Sequence, residues 1–167
     1  MDILLSRKSV RSYKPDMISD EDINYILKAA MASPTAGNAR EWHFMVIKNK
    51  KTHEEIMKIH TAAQMIKNAP AAIIVCAEPN VEKFPGFWPQ DAGAATQNIL
   101  LAATAKGIGS VWCGIYPREE RVAKFQELLN IPENIVPVSM IVLGYEDGDT
   151  PLKERWEPSK IKYETWA

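Results

Sequence analysis

Two short segments near opposite ends of the chain carry the side chains best suited to bind an anion. The first, residues 7–13, reads Arg-Lys-Ser-Val-Arg-Ser-Tyr, and the second is Lys153-Glu154-Arg155. Arginine forks and hydroxyl groups are good donors to phosphate oxygens, so a fold that joined the two ends would build a phosphate site from both segments. The alternative is that these are ordinary solvated charges on either side of the folded core.

The sequence contains no glycine-rich loop that could bind a phosphate in place of these segments. Gly107-Ile108-Gly109 is the only G-x-G in the chain. It follows a predicted helix, whereas a dinucleotide-binding fingerprint follows a strand and opens a helix. The P-loop pattern is absent as well. Any phosphate must therefore be bound by side chains, which favours Arg7, Ser9, Lys153 and Arg155.

The histidines and cysteines do not suggest other chemistry. His53 and His60 lie seven residues apart in a predicted helix, too far apart to share one metal ion, and we expect both to be solvated. Cys76 and Cys113 lie in apolar runs and are too few for a metal framework, so we expect buried free thiols. No Ser/His/Asp arrangement is indicated by position. The sequence thus predicts no metal site and gives little support to hydrolysis.

Helix and strand patterns alternate along the chain without an internal repeat. Their spacing predicts a helix between Ser19 and Ser33, a strand over 42–47, a helix from a capping box at Thr52 to the residue before Pro70, a strand over 71–77, a helix over 91–106, a strand over 110–115, a helix opened by Pro117 and a strand over 136–145. The run over 71–77 is apolar throughout, as in a central strand buried on both faces. This order predicts an α+β fold, an αβ sandwich.

Size and charge limit the classes of partner. A chain of 167 residues predicts one domain, and 20 basic against 21 acidic residues give no overall positive field for nucleic acid or an anionic membrane. No signal peptide or membrane-spanning run is recognisable, so we expect a cytoplasmic protein.

The helix over 91–106 is apolar on all sides, which favours a homodimer interface. Residues 146–167 form a polar tail that needs a surface to lie on.

Five motifs occur in an order and spacing that resemble the FMN-dependent nitroreductase family, and they span nearly the whole chain. They are residues 7–13, Ser33-Pro34-Thr35-Ala36-Gly37-Asn38 leading to Trp42, residues 91–98 (Asp-Ala-Gly-Ala-Ala-Thr-Gln-Asn), Lys106-Gly107-Ile108-Gly109-Ser110, and Lys153-Glu154-Arg155. The resemblance implies a nitroreductase-like fold with a central, mostly antiparallel sheet flanked by helices. It also implies an intertwined homodimer, with the tail packing on the partner subunit and the active sites at the interface.

The resemblance further implies residues for the cofactor FMN. Its phosphate would be bound by Arg7, Ser9, Lys153 and Arg155, with Lys8 beside them, and Arg11 would lie at the pyrimidine edge of the flavin ring. For Arg11, the alternative is a salt bridge to the acidic helix start at residues 20–22. The full expected set adds Cys113 and Gly114 near flavin N5, and Pro34, Thr35, Ala36 and Asn38 reaching across the dimer to the neighbouring flavin.

The chain departs from the family pattern in two places. Arg40-Glu41 precedes Trp42 where the family often has Gln and Pro, which changes the local hydrogen bonding and adds an option for ion pairing. The chain also lacks the long helical insertion that covers the pocket in larger members. We therefore expect a more open pocket, with the loop around Phe84, Phe87 and Trp88 either as a wall or as packing alone.

The function implied is an NAD(P)H-dependent FMN oxidoreductase that works by a ping-pong cycle, with nitroaromatics and quinones as the usual acceptors. In such a protein the flavin performs the redox step and Arg11 and Gly114 tune it, so no acid and base pair is required. Two alternatives remain open. One is a flavin-binding or storage protein with little turnover, and the other is the same fold with a specialised substrate, as in enone reduction, dehalogenation or flavin modification.

Overall fold

A four-stranded antiparallel sheet forms the centre of the computed structural model, which describes residues 2–166. The strands are β1 (Trp42–Ile47), β2 (Ala71–Ala77), β3 (Gly109–Gly114) and β4 (Val136–Gly144). Their spatial order is β1-β2-β4-β3, and every neighbouring pair is antiparallel. β2 and β4 therefore occupy the middle of the sheet, and the predicted mostly antiparallel sheet is confirmed.

Helices cover both faces of this sheet. The helices are α1 (Ile3–Ser6), α2 (Asp20–Met31), α3 (Lys50–Ile59), α4 (Trp88–Ala105) and α5 (Glu119–Leu129), and α2 to α5 contribute to the two core clusters. One core cluster joins α2 and α4 to the sheet and includes Ile26, Ile73, Ile99 and Ile141. The other joins α3 and α5 to the opposite face and includes Ile56, Ile74, Phe125 and Met140. Because alternate residues of β2 enter different clusters, that strand is buried on both faces, and the αβ sandwich is confirmed.

Both ends of α3 differ from those predicted. α3 begins at Lys50, where the side chain of Asn49 accepts the Lys51 N–H at 2.9 Å, so the predicted capping box at Thr52 is wrong. α3 also ends at Ile59, and a separate 3-10 segment covers residues 61–67. The long helix expected as far as Pro70 is interrupted because His60 leaves helical geometry, with φ −122° and ψ 83°. Side chains on both sides of that break still pack in the same core.

α4 is only partly covered by its own chain. It has 18 residues and begins at Trp88, three residues before the predicted start. Pro89 lies in its first turn, where the N–H that proline lacks would have no hydrogen-bond partner within the helix. Ile99 and Ala103 are fully buried, whereas Gln97 is exposed. The homodimer interface expected on this helix therefore stays a prediction. None of the helices in the part of the chain described here combines the length and apolar character needed to cross a membrane.

Glycines at the edge of the sheet let the N-terminal segment lie directly against it. Gly109 and Gly144 are partners in the β3–β4 register. A Cβ atom at Gly109 would come within 2.9 Å of Val10, and one at Gly144 within 2.7 Å of Tyr13. Real Cβ atoms do not approach so closely, so side chains at these two positions would push the segment away from the sheet.

We expect Gly109→Ala to lower the free energy of unfolding by about 1–3 kcal/mol, because buried Val10 has no room to move away from the added methyl group. Urea titration measures this change. Gly93→Ala is the matched control, since its Cβ atom would lie 3.8 Å from Trp112 and alanine is the better helix former. Equal losses in the two variants would contradict the close packing described for Gly109.

Candidate active site

The two ends of the chain meet along one edge of the sheet. The Val10 N–H donates to the Ser110 carbonyl at the start of β3, with an N–O distance of 2.9 Å. The Lys14 N–H donates to the Tyr145 carbonyl just beyond β4, also at 2.9 Å. The Asp147 N–H returns a hydrogen bond of 3.0 Å to the Ser12 carbonyl. Residues 7–13 are therefore fixed between β3 and the beginning of the tail.

Lys8 connects the tail to this segment. Its ammonium group donates to the Thr150 carbonyl at 2.7 Å and forms ion pairs with Glu146 at 3.0 Å and Asp149 at 3.3 Å. The hydrogen bond to Glu146 is the largest of the effects that raise the pKa of Lys8. The Lys8 charge is thus already paired, and its contacts direct residues 150–155 back across the N-terminal segment.

Two adjoining cavities collect the remaining basic side chains. One of about 360 Å³ and one of about 840 Å³ share Lys153 and Arg155 in their walls. Ser9 and Arg11 line the smaller cavity, and Arg7 lines the larger one. The four residues expected to bind phosphate, Arg7, Ser9, Lys153 and Arg155, are therefore brought together around one region of the surface.

Apart from Lys8, the cations that line these cavities form no ion pair among the described residues. Within residues 2–166, the ion pairs do not include Arg7, Arg11, Lys153 or Arg155. Arg11 also lacks the alternative partner considered for it, since Lys48 pairs with Asp20 and Lys106 with Asp22. Several unpaired cations and a serine hydroxyl form a donor set that suits a phosphate group.

The loop at residues 34–40 lies elsewhere in the same chain. The Ala36 N–H donates to Asp91 Oδ2 at 2.7 Å, and the Lys83 ammonium donates to the Gly37 carbonyl at 2.7 Å. Gly37, Asn38 and Arg40 all have positive φ angles. No residue of this loop lines either basic cavity. Pro34, Thr35, Ala36 and Asn38 are therefore not brought to Arg7 and Arg155 within one chain.

Cys113 and Gly114 end β3 and differ in exposure. The Cys113 side chain is buried, and burial raises the pKa of its thiol to about 11. The thiol therefore stays protonated at neutral pH. Gly114 is exposed, and a Cβ atom there would meet nothing closer than 4.0 Å. The predicted buried free cysteines are confirmed, with burial raising the pKa of Cys76 to about 12.

Two side chains orient the Gly114 peptide, and sequence reasoning identified neither. His60 Nε2 lies 3.0 Å from the Gly114 carbonyl oxygen, and an Arg121 guanidinium nitrogen donates to the same oxygen at 2.7 Å. His53, likewise buried, lies 3.3 Å from the Ile47 carbonyl. The prediction that His53 and His60 are solvated is wrong, because both anchor carbonyl groups inside the fold. Their helical spacing alone gave no sign of this role.

Glu41 is the other residue whose environment was not foreseen. It is buried, whereas its neighbour Arg40 is exposed, so the ion pairing considered for this dipeptide does not form. The Glu41 carboxyl lies instead beside Asp91, the acceptor of the Ala36 N–H. Burial is the largest cause that raises the pKa of Glu41, followed by its hydrogen bond to Asp91. The only sequence feature that pointed to an unusual environment for Glu41 was the replacement of the Gln and Pro that often precede the tryptophan in the family.

Comparison with known proteins gives one consistent result. The profile of the Nitroreductase family matches residues 4–80 and 59–145. An Archaeoglobus fulgidus protein, provisionally named an NADH dehydrogenase/NAD(P)H nitroreductase, is 49% identical over 98% of this chain and 97% of its own.

Two solved structures give the same fold. A Parabacteroides distasonis protein with the same provisional name superposes with a TM-score of 0.95, at 32% identity over 99% of this chain and 97% of the other. An FMN-dependent nitroreductase from Clostridium difficile gives 0.91, at 26% identity over 98% of each chain. The similarity therefore extends over almost the full length of these proteins.

We expect the buried histidines to make the fold sensitive to acid. Burial, followed by the charge of Arg121, lowers the pKa of His60, so the unfolded chain takes up a proton at a higher pH than the folded chain does. The free energy of unfolding should therefore fall as the pH decreases below about 6.5. His60→Gln keeps a hydrogen-bond donor without the titration, and it should flatten this fall between about pH 6.5 and 5.

Urea titrations at a series of pH values measure the slope. A His60→Gln slope equal to that of the unmodified chain would contradict the account of His60.

Proposed function

The chain belongs to the nitroreductase family, and from this premise we propose that it is an FMN-dependent oxidoreductase that uses NAD(P)H. The observation that carries the proposal is the meeting of the two basic segments around adjoining cavities. The Clostridium difficile relative named above is itself called FMN-dependent. Bound FMN would supply the redox chemistry, accepting hydride from NAD(P)H and passing electrons to a nitroaromatic, quinone or related acceptor by a ping-pong cycle.

In this proposal the basic cavities bind the phosphate of FMN. Arg7 and Arg155 offer planar guanidinium groups that can donate two parallel hydrogen bonds each, Lys153 adds a third cation, and Ser9 adds a hydroxyl. Lys8 has a different part, because its ammonium group already pairs with Glu146 and Asp149. It positions the tail that carries Lys153 and Arg155.

Arg11 and the end of β3 would serve the flavin ring. Arg11 lines the smaller cavity and has no carboxylate partner among the described residues, so its charge can favour an anionic reduced ring at the pyrimidine edge. The Gly114 N–H is the proposed donor near flavin N5, with Cys113 beside it. The hydrogen bonds from His60 and Arg121 to the Gly114 carbonyl hold the backbone at the end of β3 in place.

A second subunit would complete each site. The loop with Pro34, Thr35, Ala36 and Asn38 is exposed in part and does not reach the basic cavities of its own chain. The tail supports the same proposal, because its large apolar side chains have nothing to pack on within the described chain. Trp156, Tyr163 and Trp166 are 71%, 82% and 86% exposed. We therefore propose one domain over residues 1–167 that forms an intertwined homodimer. Its tail, residues 146–167, is held at its start by Lys8 of its own chain and would pack on the partner through its exposed aromatic side chains.

The function is tested by identifying the chromophore and measuring turnover. We expect the purified protein to be yellow, to release FMN on denaturation with acid, and to oxidise NADH or NADPH faster than free FMN does in the presence of a nitroaromatic or quinone. Free FMN at the same concentration is the control. Tightly bound flavin without such oxidation, across a panel of acceptors, would contradict the enzymatic proposal and indicate a storage protein.

The phosphate site is tested separately by removing its two arginines. Arg7→Ala combined with Arg155→Ala should weaken FMN binding at least about a hundredfold, because each substitution removes charge-assisted hydrogen bonds worth about 1.5–3 kcal/mol. Fluorescence titration of the apoprotein with FMN measures the loss. Lys14→Ala with Lys28→Ala removes the same charge from exposed positions outside the cavities and serves as the matched control. Retained FMN in the double arginine variant would overturn the assignment.

A further inference from the structure

Glu41 and Asp91 form a pair of carboxyl groups inside the protein. The Glu41 residue is 1% exposed, and neither of its carboxyl oxygens receives a hydrogen bond from a protein donor within residues 2–166. The carboxyl group that lies beside it is that of Asp91, which is 9% exposed. Two charged carboxylates in such a place would be strongly unfavourable, whereas one proton between them removes the repulsion and makes a hydrogen bond.

The pair is connected directly to the loop at residues 34–40. Asp91 stands in the first turn of α4, and its Oδ2 accepts the Ala36 N–H at 2.7 Å. The loop needs such support, because Asn38 and Arg40 both adopt φ of 54°, which is unfavourable for residues with a side chain. Besides Asp91, the loop is held by Lys83 at the Gly37 carbonyl and by an internal bond from the Arg40 N–H to Thr35 Oγ1.

The charges around the pair favour the protonated form. Glu82 lies near enough to oppose a negative charge on Glu41, and its own carboxylate accepts the Gly86 N–H at 2.9 Å. Lys83 is turned to the Gly37 carbonyl, and Arg40 is exposed. From the strand side the Glu78 N–H donates to the Glu41 carbonyl rather than to its carboxyl group. No cation therefore compensates Glu41 within the described chain.

We propose that Glu41 acts as a protonated acid and as a positioning residue: it donates its proton to Asp91 and so keeps the Asp91 carboxylate on the Ala36 N–H. This inference rests on the proposed function, in which residues 34–38 contact the flavin of the other subunit. Glu41 holds the loop in the shape that the contact needs and does not itself touch the cofactor.

The arrangement makes the loop sensitive to high pH. Once Glu41 loses its proton to solvent, two adjacent carboxylates repel each other, and the bond from Ala36 to Asp91 is strained or broken. The share of chains with an ordered loop then falls by up to about tenfold for each pH unit above the raised pKa of Glu41. FMN affinity should fall with it, because only the ordered loop completes the site.

The test compares Glu41→Gln, Glu41→Leu and the unmodified protein. Glutamine donates an N–H to Asp91 but has no proton to lose, whereas leucine is similar in size and donates nothing. Glu54→Gln, at an exposed position on α3, is the control for removing a carboxylate. Hydrogen exchange of the amides of residues 35–40 and the FMN dissociation constant are both measured from about pH 5 to about pH 9, a range that lies above the ordinary pKa of a glutamate, about 4.3. Far-ultraviolet circular dichroism confirms that each variant is folded.

We expect the unmodified protein and Glu41→Gln to protect the loop equally at the acid end of this range. As the pH rises through the raised pKa of Glu41, the unmodified protein should exchange increasingly faster than Glu41→Gln, by up to about tenfold for each pH unit, and bind FMN correspondingly less tightly. Glu41→Leu should be poorly protected throughout, and Glu54→Gln should follow the unmodified protein. Comparing variants at one pH cancels the pH dependence of the exchange chemistry itself.

Equal protection in the unmodified protein and Glu41→Gln across the whole range would overturn the inference, as would full protection in Glu41→Leu. Protection that changes while FMN affinity does not would also overturn it, because the loop would then not position the cofactor. Failure of the proposed function has a different signature. In that case FMN does not bind to the unmodified protein or any variant at any pH.

Discussion

The contact between Lys8 and the start of the tail is the interaction on which the rest of the candidate site depends. The basic segments at the two ends repel each other, and they can share a cavity only if something holds them together. Glu146 and Asp149 supply opposite charge to Lys8, and the Thr150 carbonyl completes its hydrogen bonds. Exposed ion pairs are individually weak. The backbone bonds from Val10 and Lys14 to the sheet edge therefore share in the work of fixing the segment.

This connection leaves the other cations free to act on a ligand. Carboxylates satisfy Lys8, whereas Arg7, Arg11, Lys153 and Arg155 form no ion pair within residues 2–166. Repulsion among these cations is unfavourable, and the binding of an anion between them would relieve it. The same chain keeps its strained loop in a separate place, anchored by Asp91 and Lys83. In the proposed dimer, the loop of one chain would meet the basic cavities of the other.

Features coded within a few residues could be predicted from the sequence. The apolar run of β2 indicated a strand buried on both faces, and the two basic segments indicated an anion site, built from residues that do meet around the cavities. The position of Gly107 after a long apolar helix correctly excluded a dinucleotide loop, since a turn and then β3 follow it. In each case the local sequence pattern favours the same structure that the tertiary packing requires.

Features that depend on distant partners could not be predicted. His60 looked like a solvated helix residue because its helical spacing continues past the point where α3 ends, and its partner, the Gly114 carbonyl, lies 54 residues further along the chain. Glu41 meets Asp91, which is remote in sequence, and its burial follows from the packing of the loop against α4. Arg11 had plausible acidic partners in α2, but it pairs with none of them, and Lys48 and Lys106 bind two of the three instead. Only the tertiary structure decides such competitions.

The central claim is that the two ends of the chain form a phosphate site, and calorimetric titration of the apoprotein with FMN and with riboflavin tests it most directly. The two ligands differ only in the phosphate group, so the ring contacts cancel in the comparison. We expect FMN to bind at least about a hundredfold more tightly than riboflavin, the equivalent of two charge-assisted hydrogen bonds at the low end of their usual strength. Equal affinities for the two ligands would contradict it.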